Sequence, residues 1–376
     1  MLTTVIIWLT IGFAFFLLFL SVWLVIRKFF GVLRQRQLNA YRKRYLAVIP
    51  PLLLIDTPIG PVEESKRVWQ TAIAFQLAAT ARSFHTGPRL WRGVQHEAAQ
   101  SVLEELSGTI SGETRHRITY LFEQFGFVRR QIAHLSDRRW WVRGEAARRL
   151  GIMRSRQAVP ALVRLLHDKE KDVRLSASDS LLDIAGVKGA LSQVLQNLTT
   201  ITQWMGVQLS KRIIAAGPAA ISPLLAGLES PSVSVRRFAI RMLGELRAPE
   251  VIGPLSTHFG SMERETQILA LHTLGRCGDE KVLDLLLQNT ESQDVSIRIA
   301  AVMALGYLGA PSTVPRLKQI LLEDRLPVGR AAADALACMK PTGIHALITV
   351  ADTGTGHARA LALEQLDESS FEEAAQ

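Results

Sequence analysis

The residue types that could do chemistry are thinly spread along this chain. Nine histidines, at 85, 96, 116, 134, 167, 258, 272, 345 and 357, make no H-E-x-x-H and no close pair. The two cysteines, Cys277 and Cys338, form no C-x-x-C and join no Cys/His cluster. A metal site needs such ligands at short, fixed spacing, so neither a metal nor a cofactor is expected. No Gly-rich phosphate cradle is present either. Asp352-Thr353-Gly354 matches the Asp-Thr-Gly of aspartic proteases, but that chemistry requires two carboxylates on facing β-loops sharing one proton. A single copy in a helical context reads as a turn, and the chain is expected not to be an enzyme.

Recognition chemistry is better represented. Residues 129–156 hold nine arginines against Asp137 and Glu145, with Trp140 and Trp141 among them. Arginine grips carboxylates with a planar fork and tryptophan supplies large buried area, so the two together make anchors for a protein partner. Arg138, Arg139, Trp140, Trp141 and Arg143 are the candidate partner-binding residues. The plainer alternative is a solvated helix face with one tryptophan in the core. A second arginine series, Arg143, Arg174, Arg236 and Arg298, reads as structural, each pairing with turn carboxylates such as Asp168, Asp172 and Asp294.

The net charge of +10 would suggest nucleic acid, but its location argues otherwise. Arg27, Lys28, Arg34, Arg36, Arg42, Lys43 and Arg44 supply +7 within the first 50 residues, which contain no acid. These bases follow an uncharged run, residues 5–26, interrupted only by Thr10, Gly12 and Ser21, with Trp8 and Trp23 near its ends. As a helix the run is roughly 33 Å long, enough to cross a bilayer. A cleaved signal peptide would show a basic start, a shorter apolar run and a small-residue cleavage site, none of which is seen. With every base on its C-terminal side, the span predicts a single-pass protein of the inner (cytoplasmic) membrane, N-terminus out and the rest cytoplasmic. Two well-separated cysteines fit that reducing compartment. The seven bases are candidate membrane-surface residues, able to meet anionic lipid headgroups. Phe30, Leu33, Leu38, Tyr41, Tyr45 and Val48 can share one helical face, and Pro50, Pro51, Pro58 and Pro61 predict a break and a linker.

The elements that must position these residues declare themselves by repetition. Leu150, Leu181, Leu243, Leu274, Leu305 and Leu336 are spaced by 31 residues with one double step, and so are Leu162, Leu224, Leu255, Leu286 and Leu317. The double steps place one irregular repeat near residues 201–230. Within a unit, Asp294-Val295-Ser296-Ile297-Arg298 opens an alanine-rich helix, Gly309-Ala310-Pro311 ends it, and Val314-Pro315-Arg316-Leu317 starts a second. Proline suits a helix's first turn, and no strand-like alternation competes.

The Val-Arg or Ile-Arg pairs (Val142-Arg143, Val173-Arg174, Val235-Arg236, Ile297-Arg298) and the Leu-Gly pairs (Leu150-Gly151, Leu243-Gly244, Leu274-Gly275, Leu305-Gly306) complete a recognisable pattern. It resembles the short bacterial HEAT-like repeats of phycobilisome lyases. The resemblance implies an all-α fold, an α-solenoid of HEAT-like helix pairs behind a single transmembrane helix. The implied division is an anchor (1–26), a basic juxtamembrane helix (27–49), a Pro-rich linker (50–62), degenerate helical repeats (63–135), HEAT-like repeats (136–366) and an acidic tail (367–376). Such repeats serve many unrelated functions. The reading preferred is a scaffold or adaptor presenting a protein-binding solenoid at the cytoplasmic membrane face, its partner an integral membrane protein among the candidates. An accessory subunit of a membrane enzyme complex such as a polysaccharide synthase stands second, and a lyase or glycosylase-type HEAT enzyme third. The basic patch is local and the remaining 326 residues are near neutral, which argues against nucleic acid.

Overall fold

The computed structural model describes residues 2–53, 92–110 and 112–374, and every regular element among them is helical. The chain divides into two compact units: Met1–Ser136 with Arg149–Ala158, and Asp137–Arg148 with Val159–Gln376. The linker beyond residue 53 and residues 63–91 of the degenerate repeats lie outside the described residues.

In the first unit, α1 (Leu2–Leu53) is one continuous helix of 52 residues. It is followed by α2 (Arg92–Thr109), α3 (Glu113–Gln124) and α4 (Phe127–His134). The first half of α1 is apolar and, where its side chains are described, exposed: Phe16 57%, Leu18 60%, Phe19 68% and Val25 67%. Its second half folds into the unit. Leu33, Leu38 and Tyr41 are half-buried, and Tyr45, Ile49 and Leu53 are buried, a stripe at helical spacing that meets α2 and α3. Phe30, expected on that stripe, is 60% exposed.

The expected break at Pro50 and Pro51 does not occur there; both lie within the last turn of α1. A proline forfeits the bond its amide would make to the carbonyl four residues earlier. Those carbonyls belong to Leu46 and Ala47, on the exposed side where water can serve them. On the buried side Ile49 and Leu53 hold the turn in place, and the Arg117 guanidinium donates to the Leu53 carbonyl at 2.8 Å.

The second unit is a run of helix pairs. Its first helices are α5 (Trp140–Met153, which ends in the first unit), the opening half of α7 (Lys171–Asn197), α8 (Gln203–Ala216), α10 (Val233–Glu245), α12 (Arg264–Cys277), α14 (Val295–Leu308) and α16 (Leu326–Cys338). Their partners are α6 (Val159–Leu165), the closing half of α7, α9 (Ile221–Gly227), α11 (Ile252–His258), α13 (Leu283–Asn289), α15 (Val314–Glu323) and α17 (Thr342–Thr353). The last helix, α18 (Gly356–Ala374), packs Ala358, Leu361 and Ala362 against its neighbours. It carries on as helix through residues 367–374, within the acidic tail.

Both leucine series are core. Leu150, Leu181, Leu243, Leu274, Leu305 and Leu336 are all 0% exposed, and the second series is at most 1% exposed. The irregular repeat needs correction, because the two double steps belong to different repeats. In the first series the missing member is in α8, where Arg212 occupies the 31-residue register and the buried residue is its neighbour Ile213. In the second series it is the closing half of α7, divided from the opening half at Gly186 (φ 72°, ψ 170°) and filled by Leu191, Val194 and Leu195.

A left-handed residue commonly releases the chain at the end of a helix, and several first helices use one, although α16 ends at Met339 with φ −96°. Gly278 (φ 69°) and Gly309 (φ 68°) supply it, and Arg247 (φ 49°) takes the same place in its repeat at greater steric cost. The Leu-Gly glycines have a different task. A Cβ on Gly275 would stand 2.6 Å from the Ala304 Cα, and one on Gly306 would stand 2.8 Å from the Ala335 Cα. These glycines let consecutive first helices close on each other, and the alanine-rich faces opposite them are the other half of that contact.

Leu305→Ala should therefore leave a cavity between stacked repeats and cost about 2–5 kcal/mol. Chemical denaturation of the purified chain measures it, and a loss below about 1 kcal/mol would place Leu305 outside the shared core.

Candidate functional site

The candidate arginines separate into two groups with opposite fates. Arg143 lies one turn into α5 and is 8% exposed. Its Nε and Nη2 donate to both oxygens of Asp168 at 2.7 and 2.8 Å, and its Nη1 donates to the carbonyls of Asp137 and Arg138 at 2.9 and 3.2 Å. This removes Arg143 from the candidate partner surface. The Asp168 carboxylate and the two carbonyls hold it inward, whereas Arg138, Arg139, Trp140 and Trp141 stay exposed.

The same construction recurs along the unit. Arg298 forks onto Asp324 at 3.1 Å twice and donates through Nη1 to the carbonyls of Ser292 and Gln293 at 2.8 and 3.3 Å. Arg174 keeps the two carbonyl bonds, to Asp168 and Lys169 at 2.8 and 3.0 Å, and reaches Thr200 rather than an acid. Arg236 keeps them too, to Ser230 and Pro231 at 2.7 and 3.0 Å. The structural reading of the series is right in kind, but two of the expected acids are not its partners. Asp294 binds Arg264 and caps α14 through the amides of Ser296 and Ile297, and Arg298 uses Asp324 instead.

The carboxylates register this pairing. Burial works against the charged form of Asp168, but bonds from Arg143 and the Glu170 amide outweigh it and hold the carboxyl below its ordinary range. Asp324 is lowered in the same way, against burial, by Arg298 and the Arg325 amide. The bond from Arg264 pulls Asp294 down to about 2.

The exposed group is Arg138, Arg139, Trp140 and Trp141. Arg139 is 59% exposed and chelated locally by Asp137 at 3.0 and 3.1 Å. Trp140 and Trp141 are 42% and 56% exposed and meet edge to face, with ring centroids 6.1 Å apart. Trp204, missed in the sequence, is 64% exposed. It holds the second position of α8 as Trp141 holds that of α5, so both tryptophans stand on the leading edge of a first helix. The signal available was that shared helix position; Trp204 lacks neighbouring arginines and so stayed unnoticed.

The juxtamembrane bases divide similarly. Arg34 pairs with Glu97 at 2.5 Å and Arg42 pairs with Glu105, tying α1 to α2 within the first unit. Arg27 lies over the Trp23 ring and Arg44 over Tyr41, at 5.4 and 5.7 Å. Lys28, Arg36 and Lys43 are exposed.

Among the described residues, no three His, Cys, Asp or Glu side chains converge as metal ligands would. Asp352 and Thr353 end α17, exposed, with the Gly354 amide donating to the Val350 carbonyl at 2.8 Å, a helix terminus and not a facing pair of loops. Burial, then Glu250 and Asp279, push the Cys277 thiol up to about 11, so it carries almost no thiolate at neutral pH.

With helix pairs, close-packed glycines and leucine series in view, the sequence family is decisive. The HEAT repeats family matches residues 129–203, 221–296, 259–337 and 283–367. The chain belongs to that family. No curated protein matches it. Solved structures similar to this HEAT chain include yeast importin-beta, at 15% identity and a TM-score of 0.41, covering 79% of this chain and 46% of that one. The complex of CpcE and CpcF of phycocyanin lyase from Nostoc is similar at 20% identity and a TM-score of 0.28, over 64% of this chain and 94% of that one. A designed armadillo repeat protein is similar at 19% identity and 0.29, over 57% and 100%. The HEAT solenoid fits a protein-interaction scaffold, and the struts at Arg143 and Arg298 tie those first helices to the turn before the next repeat.

Asp168→Asn tests the strut. At pH 7 it should cost about 3–5 kcal/mol, because it leaves the buried Arg143 charge without its counter-ion. A carboxylate whose folded pKa is depressed stabilises above its unfolded pKa, and that gain disappears as pH falls through the folded pKa. The gap in unfolding temperature between wild type and variant should therefore be full at pH 7 and shrink below about pH 4. A gap that stays constant down to pH 2 would mean that Asp168 does not act through its charge.

Proposed function

We propose that the protein is a membrane-anchored, non-enzymatic scaffold that presents its HEAT repeats to a protein partner at the cytoplasmic face of the inner membrane. The observation that carries this reading is the double character of α1. The helix has a stretch long and apolar enough to cross a bilayer, none of it buried, and the same helix ends inside the core of the first unit at Tyr45, Ile49 and Leu53. Large apolar side chains exposed around a whole helix are costly in water and at home in lipid. The seven bases after the span favour the cytoplasmic orientation. An accessory role in a membrane enzyme complex would ask the span to pack on partner helices, and bulky residues such as Phe16 and Phe19 do not favour close association.

Cys338, free and exposed, is a natural reporter of sidedness. In intact cells it should resist a membrane-impermeant maleimide and become labelled once the membrane is opened. Labelling before permeabilisation would end the cytoplasmic assignment.

For the partner surface, Arg138 and Arg139 beside Trp140 and Trp141 remain the candidate. Arg138→Glu with Arg139→Glu should strip co-purifying partners in mild detergent while shifting the unfolding temperature by no more than about 2 °C, since both side chains are exposed. Unchanged partner recovery from a stable double variant would direct attention to the second helices and the turns that lead into them, whose exposed Arg164, Glu250, Lys281, Asp284 and Gln319 carry mixed charge. Early unfolding would make these arginines structural.

A further inference from the structure

The arginine struts of the second unit are complete at Arg143 and Arg298; at Arg174 the fork reaches only the Thr200 hydroxyl and leaves a buried Nε unpartnered, and at Arg236 it meets no acid among the described residues. Where the strut is complete, the fork formed by Nε and Nη2 takes an acid from the turn that precedes the next first helix: Asp168, 25 residues beyond Arg143, and Asp324, 26 residues beyond Arg298. The residue 26 positions beyond Arg236 is Met262. It stands two residues before α12 begins, as Asp324 stands two residues before α16. Arg236 is still anchored through Nη1 to Ser230 and Pro231. Its Nε and Nη2 have no partner among the described residues.

Arg236 lines a cleft of about 290 Å³, together with Met262. Leu228, Ile240, Pro254 and Leu255 give the cleft an apolar wall, and His258 and Thr266 add polar groups. The His258 ring bonds the Pro254 carbonyl through Nδ1 at 3.0 Å, which leaves Nε2 to face elsewhere. Two acids also line the cleft, Glu229 and Glu263, of which Glu263 is held by Arg237 at 2.7 Å.

We propose that this cleft is a docking site for an acidic side chain of a partner polypeptide, flanked by an apolar residue, with the incoming carboxylate taking the place on Arg236 that Asp168 and Asp324 fill on the other struts. The unit itself shows which group fits the fork, a planar carboxylate in bidentate geometry, twice over. The apolar wall suits a neighbouring leucine-like side chain. Glu229 and Glu263 tolerate a single negative charge held by the fork better than the doubled charge of a phosphate. The proposal rests on the reading of the chain as a protein-binding scaffold, and it names a surface independent of the tryptophan edge.

The test uses the full chain in mild detergent, titrated by calorimetry with acetyl-Leu-Asp-Leu-amide, with acetyl-Leu-Asn-Leu-amide and with inorganic phosphate. The expected result is at least tenfold tighter binding of the Asp peptide than of the Asn peptide, with phosphate weaker than either. Arg236→Gln should abolish the preference. Met262→Asp should abolish it too, by completing the strut internally, and should unfold no earlier than wild type. Equal binding of the two peptides by the wild type, or a preference for phosphate, overturns the proposal. So does an intact preference in Arg236→Gln or in a folded Met262→Asp. Failure here leaves sidedness and the tryptophan edge untouched, whereas periplasmic labelling of Cys338 would undo the scaffold reading and leave the peptide preference measurable.

Discussion

How near one first helix can come to the next sets everything else in the second unit. Gly275 meets Ala304 and Gly306 meets Ala335 at distances that a methyl group on the glycine could not share, and Gly244 meets Thr273 at a distance where a methyl group would be tight. That proximity lets leucines at a 31-residue period fill the space between helices without voids. Where the device is absent the packing changes. The corresponding position in α8 is Ile214, which points outward at 57% exposure, and the close approach shifts to Gly227 of α9, whose added Cβ would meet Leu195 and Ala239.

Stacking at this distance also brings side chains of successive repeats within reach of one another, and charge is consumed in the joints. Besides the buried struts, Arg212 reaches Asp183, Arg237 reaches Glu263 and Glu265, Arg276 reaches Glu245, Arg316 reaches Glu291 and Arg330 reaches Glu364. Exposed pairs of this kind each contribute little to stability. Their larger effect is on recognition, because an arginine engaged with the next repeat has few donors left for a partner. The near-neutral balance of the repeats is a consequence of that internal use. Among the groups that stay available for a partner are an edge of tryptophans with Arg138 and Arg139, and the fork of Arg236.

The fold was legible because periodicity survives substitution: two leucine series with one period require stacked units, whatever lies between them. The register failed where one residue slipped, since Arg212 holds the leucine position by count while the helix buries Ile213. Gly186 escaped notice because a single glycine replaces the longer Gly-Ala-Pro turn. The prolines at 50 and 51 misled because a local rule was applied without knowing that the carbonyls they orphan face outward. At the candidate site, a window of five residues looked like one patch. An α-helix turns about 100° per residue, so Trp141, two residues before Arg143, falls about 160° away from it, while Trp140, three before, is a near neighbour at about 60°. Contacts 25 residues apart, such as Arg143 with Asp168, have no signature in a short window.

The unbroken course of α1 gives the first unit a rotational phase. Every residue of that helix has a fixed azimuth relative to Tyr45, Ile49 and Leu53, which are clamped in the core. One residue inserted in the exposed stretch ahead of Leu33 would swing the apolar half by about 100° against the folded half and lengthen it by about 1.5 Å. Seven inserted residues would bring the faces back to within about 20° while adding about 10.5 Å. Angle and distance can thus be varied separately in this helix, so it works as a shaft that transmits torque where a flexible tether would dissipate it.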